Sequence, residues 1–99
     1  MDSILKEKWF ELSLVQQMIN IGNEVKRALK FSSNQDKSNM FFDRAIKYTR
    51  FTMEDPQNAH VLPELLISIE VLEDYRGEHK LACTKEQING YYQAYQYLL

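Results

Sequence analysis

Two histidines, one cysteine and a scatter of carboxylates are the side chains here that could do chemistry. Zinc takes four ligands drawn from Cys, His and carboxylate. His60, His79 and Cys83 do not fall at a recognisable ligand spacing, so no metal site is expected. A nucleophilic Cys83 would need a base within hydrogen-bond reach, and neither histidine stands near it by any familiar spacing. Glu64, Glu70, Glu73, Asp74 and Asp43 are numerous enough for a di-metal centre in a helical bundle. That chemistry requires a Glu followed three residues later by His on each of two helices, and no Glu in this chain meets the condition. Glu70 and Asp74 fall opposite the apolar stripe of their segment and read as a solvated acidic face. No glycine-rich phosphate loop and no Gly-x-Ser-x-Gly elbow occurs. No catalytic residue and no cofactor is therefore expected.

A second kind of chemistry is recognition by polar side chains in a line. Gln16, Asn20, Asn23 and Arg27 recur along one edge of the first segment, with Trp9 extending it. This polar seam would suit a ligand or a hydrogen-bond network. Glu24 and Arg27, three apart, suit an ion pair on one helix face. Gly22 lies in the same stretch, on the apolar face. Glycine inside a helix costs about 0.8 to 1 kcal/mol relative to alanine, so its presence suggests a tight helix crossing at Gly22.

The elements that carry these residues are helical. The 99 residues hold 44% hydrophobic and 26% charged side chains, ordinary values for one globular domain spanning 1–99. Three Gly and two Pro leave little material for the turns of a sheet. The spacing predicts four helices. The first runs from about Ser3 to Phe31 and is long for so small a domain. Leu5, Leu12, Val15, Ile19, Gly22 and Leu29 form its main face, and Phe10, Leu14, Ile21 and Ala28 lie on a flank beside Met18 and Val25. The second, about Ser38 to Glu54, is capped by Asp36 or Ser38 and stopped before Pro56. The third, about Val61 to Arg76, accepts Pro63 in its first turn and ends at Gly77. The fourth, about Thr84 to Leu98, opens on a Thr84–Gln87 capping box. Short connections favour antiparallel neighbours, so the expected fold is all-α, an up-down four-helix bundle with a long first helix.

Charge and surface then bound the partners. Twelve basic against 14 acidic residues give a net charge of −2 and a pI near 5.6, which disfavours a phosphate backbone as the main partner. No apolar stretch approaches the roughly 18 residues of a membrane span, and the N-terminal MDSILKEKWFEL lacks the pattern of a secretory signal. With one cysteine the chain reads as a cytoplasmic protein. The flank of Phe10, Leu14 and Ile21 offers more apolar surface than a monomeric bundle needs, with Ile67 and Val71 as a second patch. Both are candidate interfaces, and a homodimer, with another protein as a further partner, is the expected state.

The string Asn-Ile-Gly-x-Glu-Val-x-Arg at 20–27 follows Trp9 and Ser13. It precedes Phe-Asp-Arg-Ala at 42–45 and Asp-Tyr-x-Gly at 74–77. In these motifs, over nearly its whole length, the chain resembles a group of small bacterial all-helical proteins whose bundle is similar to HEPN domains. The resemblance implies the bundle, a tendency to dimerise and a companion role beside nucleotidyltransferases or toxin partners. HEPN ribonucleases carry an Arg, four to six residues, then a His. Arg27 and Arg44 have no His in that range. Nine residues separate Arg50 from His60, and two separate Arg76 from His79. Ribonuclease activity is thus not implied. The expected function is a non-enzymatic, homo-oligomeric interaction module, with a degenerate HEPN-type nucleic-acid-processing or companion module as the alternative.

Overall fold

The structure, a computed structural model, describes residues 2–98. The chain is all-α, and among the described residues there is no strand. Five helices follow one another: α1 (Asp2–Phe10), α2 (Leu14–Lys30), α3 (Gln35–Glu54), α4 (Leu62–Arg76) and α5 (Lys85–Gln93). A 3-10 helix at Pro56–Val61 joins α3 to α4, and another at Ala94–Leu98 extends α5.

The expected long first helix is broken in two. Ser13 accepts from the Gln16 backbone N–H, and the Gln16 side chain accepts from the Ser13 N–H, at 3.2 and 2.9 Å. This capping box starts a new helix at Leu14 and turns α1 away from α2. Gln16 thereby serves the backbone instead of a seam. The other ends follow local chemistry. Asn34, not Asp36 or Ser38, caps α3. Pro63 falls in the first turn of α4, Gly77 is its C-cap, and Thr84 with Gln87 forms the capping box of α5.

Antiparallel α2 and α3 form the centre; α4 packs on α3, α5 on α2, and α1 on α3. Met18, Ile21, Val25, Ala28 and Leu29 of α2 meet Phe42, Ala45 and Ile46 of α3, with Leu65 and Leu72 of α4 and Ile88 and Tyr92 of α5 closing the core. The core therefore takes the flank through Met18, Ile21, Val25 and Ala28 together with Leu29 of the expected main face. Ion pairs Arg50–Glu73 (2.8 Å) and Arg76–Asp43 (2.7 Å) tie α3 to α4 across exposed ground, where each is worth little.

One corner is polar and buried. Trp9 Nε1 donates to Thr52 Oγ1 (2.9 Å), and its ring stacks on Tyr48 at 4.7 Å. Gln17 Nε2 donates to the Trp9 carbonyl and to Asp55 Oδ2, and Asn58 Nδ2 donates to Gln17 Oε1 and the Thr52 carbonyl. Burial pushes the Asp55 carboxyl up, but hydrogen bonds from Gln57 and Gln17 outweigh it and hold its pKa below the usual aspartate value. This network clamps the α1–α2 corner onto the end of α3. Trp9 belongs to it, not to the edge of α2.

Candidate functional site

The bundle is open between α4 and α5. A cleft of about 400 Å³ lies there, lined by Glu64, Ile67, Ser68, Val71, Cys83, Gln87, Ile88, Tyr91 and Tyr92. Its α4 wall follows from helical spacing. Glu64, Ile67, Ser68 and Val71 recur at three and four residues on one side, next to the buried row Leu65, Ser68, Ile69 and Leu72. Ile67 is 61% exposed although its neighbours across the cleft are apolar.

Three features hold the cleft in place. The α4–α5 connection is folded around Asp74, whose carboxylate accepts from the Lys80 and Leu81 backbone N–H groups at 2.7 and 2.9 Å. His79 and Ala82 in this loop sit at positive φ, 56° and 55°. The His79 ring packs on Tyr75 and its Nε2 lies 2.9 Å from the Cys83 carbonyl. On the other side, α5 is seated by Gly22. A β-carbon at Gly22 would stand 2.7 Å from Tyr92 Cβ, so α2 and α5 meet nearly backbone to backbone. Tyr92 is buried at that contact and turns its ring toward the cleft.

The polar groups of the cleft gather at one end. The Tyr91 and Tyr95 hydroxyls both donate to Glu64 Oε1, at 3.0 and 3.4 Å, and lie 3.5 Å from each other. Burial raises the Tyr91 pKa, and the Tyr95 and Glu64 oxygens raise it further by opposing a phenolate beside them. Burial likewise raises Tyr92, against a lowering contact from Ser68. Burial raises Tyr95 too, although its bond with Tyr91 opposes the shift. All three tyrosines are thus neutral hydrogen-bonding groups at ordinary pH.

The residues singled out by sequence do not come together in one site. Of the polar seam, Asn20 and Arg27 are exposed with Gln16, and only Asn23 lines a second, polar cleft of about 50 Å³ beside Gly22 and Tyr92, room for little more than one or two waters. Arg27 pairs with buried Glu24 at 3.0 Å, and Arg44 approaches the same carboxylate at 4.0 Å. Of the Phe10, Leu14 and Ile21 flank, Ile21 is fully buried and is corrected as an interface residue, while Phe10 and Leu14 are half-buried and pack against the core. Ile67 and Val71, by contrast, both line the α4–α5 cleft. Sequence reading did not identify Glu64, Ser68, Tyr91 and Tyr92 as cleft residues, since that requires knowing that α4 and α5 face each other.

Among the described residues no cluster of His, Cys, Asp and Glu could hold a metal ion, and no helix is long and apolar enough to cross a membrane. No family model, curated protein or solved structure matches the chain.

Proposed function

We propose that the chain is a non-enzymatic interaction module that docks a helix of another polypeptide into the α4–α5 cleft. The observation that carries this reading is an apolar opening of about 400 Å³ with the aliphatic Ile67 standing 61% exposed on its wall. Isolated exposed aliphatics are common, but one lining a concave apolar surface marks a binding face. Grooves between two helices accept the apolar stripe of a third, read at i, i+3, i+4 and i+7. Burying such a stripe is favourable by about 25 cal/mol per Å².

The cleft chemistry favours binding over catalysis. The Cys83 carbonyl, not its thiol, meets His79, and the tyrosines are held neutral. A HEPN-type site would need an arginine–histidine pair, and His79 is packed on Tyr75 instead. The free thiol of Cys83 suits a reducing, cytoplasmic setting. A second copy of the chain, the homodimer expected from sequence, is one polypeptide the cleft would take.

The test is calorimetric titration of the chain with a 16-residue amphipathic peptide helix, Leu-rich on one face and Gln/Ser on the other. The mass of the chain alone is measured by light scattering. Either peptide binding or self-association should appear, and Ile67→Glu should weaken it at least about tenfold. A chain that neither binds the peptide nor self-associates, or an Ile67→Glu variant that behaves as the parent, overturns the proposal.

A further inference from the structure

We infer that the cleft selects a basic amphipathic helix from a different protein, with a lysine or arginine of that helix paired to Glu64. The inference rests on the docking reading above and adds the charge of the partner.

Among the described residues Glu64 is the only charged one lining the cleft. It lies one turn before Ile67 and Ser68 and two turns before Val71, so the carboxylate and the aliphatic wall span about 10 Å along α4. A partner helix that sets its apolar residues against Ile67 and Val71 brings a side chain one or two turns away to Glu64. The two tyrosine hydroxyls fix the carboxylate through Oε1, and Oε2 is the oxygen they do not use. Holding the carboxylate in advance lowers the ordering cost of an ion pair.

The wider surface carries the same sign. Residues 56–99 hold six acidic and three basic groups. Arg76 pairs with Asp43, Lys80 with Glu78 and Glu73 with Arg50, so both signs are partly engaged and the excess stays acidic. Glu70 on α4 and Glu86 on α5 are exposed. A two-fold pairing of this face with its own copy would bring a second acidic α4 against the first, and like charges in register disfavour that pairing. A basic helix meets no such penalty.

Three peptides test this, with one Leu-rich face and either Lys, Gln or Glu at the flanking positions. Each is titrated into the full chain and into Glu64→Gln, which keeps an oxygen for the tyrosines. The Lys peptide should bind about tenfold tighter than the Gln peptide, and the Glu peptide weakest. The Lys preference should fall to within about threefold in Glu64→Gln and shrink as salt is raised. Equal binding of all three, or a preference that survives Glu64→Gln, overturns the charge selection while leaving the docking reading standing. If no peptide binds and the chain is monomeric, both fall. A parent dimer that Ile67→Glu converts to monomer puts a second copy in the cleft, which overturns the choice of partner and keeps the cleft as the docking face.

Discussion

Gly22 and Gly90 should respond to the same substitution with opposite signs. Both lie inside helices, where replacing glycine by alanine gains about 0.8 to 1 kcal/mol from backbone entropy and propensity. At Gly90 nothing lies within 4 Å of the added β-carbon, so the gain stands alone. At Gly22 the new atom would meet Tyr92 Cβ at 2.7 Å, against an ordinary carbon–carbon contact of about 3.5 to 4 Å. Tyr92 Cβ is fixed to the α5 backbone, so rotating the ring gives no relief and α5 must retreat by about 1 Å. Overpacking of this kind costs about 1 to 3 kcal/mol, so Gly22→Ala should be destabilised by up to about 2 kcal/mol net. Thermal unfolding followed by far-UV circular dichroism reads both variants. In a domain of this size 1 kcal/mol moves the melting midpoint by about 4 to 8 °C, so the two variants should fall on opposite sides of the parent. A Gly22→Ala protein as stabilised as Gly90→Ala would refute the close crossing of α2 and α5, and with it the seat of one cleft wall.

Two further outcomes concern the buried polar corner. Thr52→Val removes the acceptor of the Trp9 indole N–H and should cost about 1 to 3 kcal/mol. In a cycle with Trp9→Phe the double variant should lose less than the two singles together, and additive losses in urea unfolding would show that the bond is not formed. Asp55 has a lowered folded pKa, so its contribution is present above the unfolded value of about 3.9 and is lost as pH falls through the folded pKa. Asp55→Asn should therefore flatten the fall in stability between pH 5 and pH 2; an unchanged slope would contradict the role given to the Gln17 and Gln57 donors.

The sequence was most legible where one short motif decides the backbone. The Thr84–Gln87 box, Pro63 and Gly77 set the ends of α4 and α5 by local chemistry alone. The same motif at Ser13–Gln16 is masked in the sequence because Phe10, Leu14 and Ile21 keep helical spacing across it, so periodicity alone runs through a real break. Past the break the buried face of α2 runs through Met18, Ile21, Val25, Ala28 and Leu29, which takes Ile21 out of the expected interface. Gln17 carried a readable sign: a polar residue four before Ile21, on what proved to be the core side. Its partners, Asp55 and Asn58, lie some forty residues away and no local rule supplies them. The Ile67–Val71 patch was visible as two aliphatics one turn apart. Its meaning was not, because a cleft is a relation between α4 and α5 that depends on how Gly22 and Asp74 seat the surrounding elements.

The most direct test of the central claim is nuclear magnetic resonance of the ¹⁵N-labelled chain titrated with the Lys-faced peptide. Amide shifts should concentrate at Ile67, Val71, Ile88 and Tyr91, and leave Phe10, Leu14 and Asn20 unmoved. Shifts that centre on α1 and α2 while the α4–α5 cleft stays silent would contradict the account.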